Sequence, residues 1–179
     1  MSSYTQLVNR QHSLAPDYIP LDLTEPEIPF LAPSGDPKRL LRARAAQAVE
    51  ELFQRARHTG LSLHGISGYR SYKRQTELYQ QSDSGYVAPP GCSEHQTGLA
   101  LDVSCPAVHY ELEEAFALTR EYKFLEDYGP MYGFIIRYPR GKEKITGYAW
   151  EPWHIRYVTK TLALYLSLTN LTLDEYYQL

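Results

Sequence analysis

The chain has 179 residues, of which 43% are hydrophobic and 22% are charged, and its formal net charge is −3. This composition is typical of one globular domain and excludes wholesale disorder. The charge balance argues against a nucleic-acid partner, and no apolar run approaches the ~18 residues of a membrane-spanning helix. The two cysteines, Cys92 and Cys105, exclude a disulfide framework and a four-cysteine zinc site. They leave open a single bridge or two buried free thiols.

Prolines are concentrated near the start of the chain, between Pro16 and Pro33. Proline fixes the backbone and removes a hydrogen-bond donor, so residues 1–36 are predicted to form an extended arm. Apolar residues of the arm indicate that it packs against a domain formed by residues 37–179: Leu21, Leu23, Ile28, Phe30 and Leu31. The first residues show no basic segment followed by an apolar core, so no secretory signal is predicted.

A long helix is predicted directly after the arm. Asp36 is a typical N-cap residue, and Pro37 suits the first helical position. Apolar residues then recur at helical spacing as far as Ala56, and Gly60 is a typical stop. These signals predict a scaffold helix that runs from residue 37 to about residue 58.

The rest of the chain mixes short strands and helices. The predicted strands cover residues 61–69, 99–104, 132–138, 145–149 and 153–158, and the predicted helices cover residues 72–82, 111–128 and 159–169. Ser71 is expected to cap the first of these helices, residues 84–91 to form a loop, and a turn at residues 139–142 to close a hairpin. Thr172 and Glu175 have the spacing of a capping box. Because the order lacks a βαβ rhythm, we predict an α+β fold, a single domain with a small antiparallel sheet flanked by helices.

Two segments carry the residue types of a metal site. His95 and Asp102 lie seven residues apart across Gly98, a spacing that suits a loop leading into a strand. Glu151 and His154 flank Pro152, and the residue before a proline is extended, so these two must converge through a bend. Two histidines and a carboxylate are a common ligand set for catalytic zinc. Each histidine taken alone could equally be structural, and His12, His58, His64 and His109 are assigned no role.

Four motifs in this order make the chain similar to a known family. They are SGYRS at residues 67–71 with Gln75, SxHxxGxAxD at 93–102, YGFIIRYPxGK at 132–142, and EPWHxRYV at 151–158. Together they resemble the VanY-type family of zinc D-alanyl-D-alanine carboxypeptidases, which includes L,D-carboxypeptidase relatives. The resemblance covers roughly residues 37–158, and it implies a small α+β domain with an antiparallel sheet.

The resemblance also implies a role for each matching residue. It implies that one zinc ion per chain is bound by His95, Asp102 and His154, and that Glu151 is the catalytic base. It further implies that Arg70 engages the substrate near the reacting carbonyl, while Ser93 and Gln75 help to hold the C-terminal end of the peptide. Two positions depart from the expected pattern. The thiol of Cys92, three residues before His95, could contact the metal, and Trp150 could reshape the pocket wall.

The predicted function is therefore a zinc metallo-carboxypeptidase that releases the C-terminal D-alanine of peptidoglycan stem peptides. We favour D,D specificity, with an L,D-carboxypeptidase that acts on tetrapeptide stems as the alternative. Two further alternatives are a non-catalytic zinc-containing peptide-binding module and a non-haem iron oxygenase, which also uses two histidines and a carboxylate. The resemblance places the protein in the bacterial cell envelope as a monomer, whereas the missing signal leaves the cytoplasm open.

Overall fold

The computed structural model describes residues 4–82 and 87–178. Its strands, in chain order, are β1 (Leu23–Thr24), β2 (Leu41–Arg42), β3 (His64–Ser67), β4 (Ala100–Ser104), β5 (Phe134–Tyr138) and β6 (Glu151–Tyr157). Its α-helices are α1 (Ala43–His58), α2 (Tyr72–Gln81), α3 (Arg120–Tyr128), α4 (Glu143–Thr146), α5 (Lys160–Thr169) and α6 (Leu173–Tyr176). None of these helices is both long and apolar enough to cross a membrane.

A four-stranded antiparallel sheet forms the centre of the fold, with strand order β3-β4-β6-β5. The strands β1 and β2 form a separate antiparallel pair where the N-terminal segment meets the rest of the chain. In the larger sheet, Asp102 of β4 lies directly opposite His154 of β6, and Tyr138 of β5 lies opposite Glu151 of β6. The predicted α+β fold with a small antiparallel sheet is confirmed.

The main core lies between α1 and the sheet. Val49 and Leu52 of α1 are fully buried in one apolar cluster with Leu101 and Val103 of β4 and with Ile155 of β6. Burial of each such side chain stabilises the fold by about 1.5–3 kcal/mol. Because side chains alternate along a strand, this packing directs Leu101 and Val103 to the helix and Asp102 to the opposite face of the sheet.

The predicted start of the long helix was wrong. Residues Pro37–Arg39 form only one 3-10 turn, with Asp36 accepting a hydrogen bond from the Lys38 backbone N–H at 2.9 Å, and α1 begins six residues later at Ala43. Between them the backbone is bonded to distant segments. Tyr69 N–H donates to Leu40 O at 2.8 Å, and Arg42 N–H donates to Gly98 O at 2.8 Å. These tertiary hydrogen bonds keep the backbone extended where local propensity favours a helix.

Only some of the apolar residues of the N-terminal segment pack against the domain. Ile28 is buried and Phe30 is half-buried, but Leu21 and Leu31 are exposed, contrary to expectation. Polar contacts contribute instead: Arg42 Nε donates to Asp22 Oδ1 at 2.7 Å. The division of the chain at residue 36 into arm and domain stays a prediction.

The predicted return strand at residues 145–149 was also wrong. Residues 143–146 form α4, which ends at Gly147 with φ +74°, and the antiparallel partner of β5 is β6. The segment between β5 and β6 is therefore longer than predicted, and Glu151, rather than residues 145–149, joins the sheet.

The predicted helix over 111–128 is divided into a 3-10 segment, Glu114–Leu118, and α3. The division occurs at Thr119, whose hydroxyl caps α3.

Most of the remaining elements are confirmed. Ser71 Oγ accepts a hydrogen bond from Arg74 N–H and caps α2, and α1 ends next to Gly60. The helix α5 and the Thr172–Glu175 capping box occur where they were predicted. The predicted loop over 84–91 lies partly outside the described residues, at 84–86.

Candidate metal centre and catalytic cleft

Asp102 stands at the centre of the candidate metal site. It projects from β4 opposite His154, and His95 comes from the 3-10 turn Glu94–Thr97 that precedes β4. The turn ends at Gly98 with φ +66°, where a Cβ atom would lie 2.7 Å from Leu23 Cδ2. Glycine is therefore needed on both conformational and steric grounds, and it gives the loop-to-strand connection that the spacing predicted.

The three side chains are close enough to share one metal ion. His95 Nε2 lies 3.2 Å from Asp102 Oδ2, and His154 Nδ1 lies 3.2 Å from Asp102 Oδ1. Ligands bound at about 2.0–2.2 Å to a tetrahedral zinc ion are separated by about 3.3–3.5 Å. His95, Asp102 and His154 are all buried, and their ligand atoms lie within 4.8 Å of one another.

The hydrogen bonds of the two imidazoles leave one nitrogen of each free to face Asp102. His95 Nδ1 lies 2.7 Å from Gly68 O, which can only accept, so Nδ1 carries the proton and Nε2 is available. His154 Nε2 lies 3.4 Å from Glu94 Oε2, so Nδ1 faces Asp102. Metal-binding histidines commonly donate their other N–H to a carbonyl or carboxylate in this way.

Electrostatics of the cluster also favour a cation. Asp102 Oδ1 is buried and accepts no hydrogen bond from the described residues. Although burial lowers the pKa of His154, Asp102 and Glu94 raise it to about 9. The neighbouring carboxylates thus favour a positive charge at this position, which a bound metal ion would supply. The residues present therefore fit a bound metal ion.

Glu151 lies beside the three ligand residues. Its Oε2 is 3.6 Å from His154 Nδ1. The pKa of Glu151 is raised to about 7: burial is the largest cause, Asp102 and Glu94 also raise the pKa, and His154 and Arg70 lower it. A carboxylate with a pKa near neutrality is suited to accept a proton and then return it.

Arg70 is held in place by neutral partners. Its Nη1 donates to Gln75 Oε1 at 3.0 Å, its Nη2 donates to Ser67 Oγ at 3.3 Å, and Nη2 lies 4.0 Å from Asp102 Oδ2. Burial lowers the pKa of Arg70, but an arginine retains its charge in a protein. The amide of Gln75 also donates to Ala88 O at 2.7 Å, so both ends of this buried side chain are engaged within the protein. Its direct contact with a peptide stays a prediction.

Two adjoining cavities form a cleft around Arg70. A cavity of about 250 Å³ contains the metal ligands, Glu151 and the predicted residue Ser93. A second cavity, of about 560 Å³, extends past Lys38 and Arg74. Both are lined by Arg70 and Asp102, so a ligand that spans the two passes the candidate metal centre.

The cysteines take no part in the ligand cluster. Cys92 and Cys105 are both buried and free. Burial raises the pKa of the Cys92 thiol, which disfavours the thiolate that a metal requires. The described cluster of ligand atoms consists of His95, Asp102 and His154 alone.

Glu94 is a site residue that the sequence analysis missed. It contacts His154, and it is enclosed by Arg137 of β5 and Arg156 of β6. Burial raises the pKa of Glu94, but the two arginines outweigh burial and hold the pKa well below its usual range. Two signals in the sequence could have indicated this role. Glu94 directly precedes the predicted ligand His95, and each of two predicted strands contains an arginine, Arg137 and Arg156.

The structure places a buried His–Asp–His cluster beside a glutamate and an arginine on the sheet of a small α+β domain, an arrangement that suits metal-dependent hydrolysis. The family model for VanY, D-alanyl-D-alanine carboxypeptidase, matches residues 38–160, and the chain belongs to this family. The resemblance recognised in the motifs is therefore confirmed.

Individual relatives are similar over almost the whole chain. The putative carboxypeptidase YodJ of Bacillus subtilis (strain 168) is 44% identical over 180 residues, which cover 96% of this chain but only 66% of YodJ. The structure of the LdcB LD-carboxypeptidase is 44% identical, with a TM-score of 0.92 over 96% of this chain and 84% of LdcB. A mutant of the vancomycin-resistance D,D-pentapeptidase VanY in complex with Zn(II) is 31% identical, with a TM-score of 0.77 over 97% of this chain and 98% of that one.

Proposed function

We propose that this protein is a zinc-dependent carboxypeptidase that releases the C-terminal D-alanine of peptidoglycan stem peptides. The observation that carries the proposal is the placement of Glu151 beside a buried ligand set, with its Oε2 3.6 Å from His154 Nδ1. The Zn(II) complex of the related VanY mutant supports zinc rather than iron as the metal. One ion per chain is proposed because the described residues contain one such ligand cluster.

A zinc ion held by His95, Asp102 and His154 would supply a Lewis acid and a water of lowered pKa. Glu151 takes a proton from the attacking water. The water oxygen bonds to the carbonyl carbon, and the carbonyl oxygen becomes an oxyanion. The carbonyl then re-forms as the C–N bond breaks, and Glu151 delivers the proton to the departing D-alanine amine. Such proton transfer is typically worth about 10²–10⁴ in rate.

Arg70 supplies a fixed positive charge for the substrate. Its bonds to Gln75 and Ser67 orient the guanidinium before any peptide binds. A charge that is already oriented can stabilise the oxyanion of the tetrahedral intermediate without reorganisation. Ser93 and Gln75 line the same cavity and are proposed to hold the C-terminal end of the peptide.

Two stem peptides are candidate substrates. D,D specificity towards a pentapeptide is the expectation from the sequence, and the related D,D-pentapeptidase VanY supports it. The greater similarity to the LdcB LD-carboxypeptidase favours L,D specificity towards a tetrapeptide. Both reactions release D-alanine and use the same catalytic groups.

The proposal is tested by D-alanine release from synthetic pentapeptide and tetrapeptide stems, with enzyme that is untreated, chelated, or chelated and then reloaded with zinc. Release that is lost on chelation and restored by zinc supports the proposal, and the peptide that is cleaved identifies the specificity. Zinc-loaded protein that binds both peptides and cleaves neither is instead a peptide-binding module.

Because the proposed substrate is a cell-wall peptide, we also propose that the protein acts in the cell envelope. We propose that it acts as a monomer, as the sequence analysis predicted.

A further inference from the structure

His154 is held from behind by a carboxylate that is itself completely enclosed. Glu94 Oε2 lies 3.4 Å from His154 Nε2, and neither side chain is more than 4% exposed. Both arginine contacts of Glu94 are made to Oε1, so Oε2 is left to accept the proton of His154 Nε2, and this contact selects the tautomer of His154 that is protonated on Nε2. That tautomer directs the Nδ1 lone pair at the metal position.

Two arginines donate hydrogen bonds to the other carboxylate oxygen of Glu94. Glu94 Oε1 accepts from Arg137 Nε and from Arg156 Nη1, each at 2.6 Å, and both arginine side chains are 0% exposed. Arg137 Nη1 also donates to Asp174 Oδ2 of α6 at 2.5 Å. Two cations and two anions therefore balance within one buried cluster that extends from the metal site to the C-terminal helix.

The two carboxylates of this cluster have different neighbours. Glu94 contacts His154, whereas Asp174 accepts from Asn9 Nδ2 at 2.9 Å in the N-terminal segment. A buried ion cluster is costly to desolvate, and replacement of such clusters by apolar residues is often neutral for stability. A gain in folding stability is therefore a weak explanation for the presence of Glu94 next to His154.

We propose that Glu94 is a positioning residue for the metal centre, acting through His154, and that the hydrogen bond from Arg156 holds it in place. The inference rests on the proposed function in one respect, that the site binds zinc. The inference assigns control of metal affinity to Glu94. Asp174 does not share this role, although Asp174 and Glu94 both bond Arg137.

Two charge-balanced double variants separate these roles. E94Q/R137M and R137M/D174N each lose Arg137 and one buried anion, so each keeps one cation and one anion in the cluster. In E94Q/R137M, Arg156 still requires an oxygen acceptor, so the amide NH₂ of the new glutamine faces His154 Nε2. Two donors then oppose each other, which disfavours the tautomer that binds metal. In R137M/D174N, Arg156 still holds an intact Glu94.

The zinc dissociation constant is measured by competition with a chromophoric chelator, and folding is checked by thermal unfolding of each metal-free variant. E94Q/R137M is expected to bind zinc about 10–100-fold more weakly than the unchanged protein. R137M/D174N is expected to stay within about threefold, because the contact between Glu94 and His154 is retained. Equal zinc affinities for the two folded variants would overturn the inference.

A second measurement needs no variant. In cadmium-loaded protein with isotope-labelled histidine, NMR is expected to show one histidine bound through Nε2 and one through Nδ1. The Nε2 proton of the latter should exchange slowly with water, because it is bonded to the enclosed Glu94. Rapid exchange of that proton, or two histidines bound through Nε2, would refute the role of Glu94. Failure of the unchanged protein to bind zinc would instead count against the proposed function.

Discussion

Asp102 lies directly across the sheet from His154, and its two carboxylate oxygens each approach a different imidazole at 3.2 Å. Asp102 thus links His95, a candidate ligand that precedes β4, to His154, a candidate ligand on β6. The register of β4 and β6 therefore determines whether the candidate metal site can form.

Replacement of Asp102 by asparagine should abolish stable zinc binding. The substitution keeps the shape of the side chain but removes the negative charge between the two histidines, so zinc affinity is expected to fall by more than the about 10–100-fold that loss of a ligand's hydrogen-bond partner costs. The metal content of purified, dialysed protein measures this loss. Asp127→Asn, at an exposed carboxylate of α3 that pairs with Lys123, is the matched control and should retain zinc. A fully loaded D102N variant would exclude Asp102 as a ligand.

Replacement of Glu151 by glutamine should separate metal binding from turnover. The amide cannot accept the proton of the attacking water, so kcat is expected to fall by about 10²–10⁴-fold while zinc content is unchanged. Steady-state release of D-alanine, with metal analysis of the same sample, tests this. Glu113→Gln, at an exposed position, should leave both quantities unaltered. Normal turnover by E151Q would remove Glu151 from the mechanism.

Replacement of Arg70 by lysine should impair catalysis although the charge is kept. An ammonium group cannot bond Gln75 and Ser67 with the fork geometry of a guanidinium, so its position relative to Asp102 is lost. We expect kcat/KM to fall by about 10²-fold with no change in zinc content. The control is Arg57→Lys, at an exposed position near the end of α1. Equal kcat/KM values for the two variants would contradict a role for the guanidinium.

Replacement of Gly98 by alanine should destabilise the turn that carries His95. Any L-residue at φ +66° is strained by about 1–2 kcal/mol, and the new Cβ would also meet Leu23 Cδ2 at 2.7 Å. Gly60→Ala has a similar φ of +76° but no atom within 4 Å of the new Cβ, so it isolates the backbone strain. Denaturant unfolding should show a greater loss of stability for G98A than for G60A. Equal losses would mean that the close approach of Leu23 is relieved without cost.

Local signals predicted the elements that depend on local interactions. The cap of α2 at Ser71, the end of α1 near Gly60 and the capping box at Thr172 all involve residues a few positions apart, and each is present. The strand that contains Asp102 was also predicted, because its alternating residue pattern is visible within the segment itself. The motifs located the metal-ligand candidates, because their residue types and spacing are visible without coordinates.

The sequence by itself determined the family, the α+β class and the residue types of the candidate site. Tertiary structure decided where α1 begins, since hydrogen bonds from Tyr69 and to Gly98 keep residues 40–42 out of the helix. It likewise decided that β6, rather than residues 145–149, pairs with β5. It alone brought Glu94, Arg137, Arg156 and Asp174 into one buried cluster. Such contacts join residues far apart in the chain, and their energies depend on burial and charge balance, which no local pattern records.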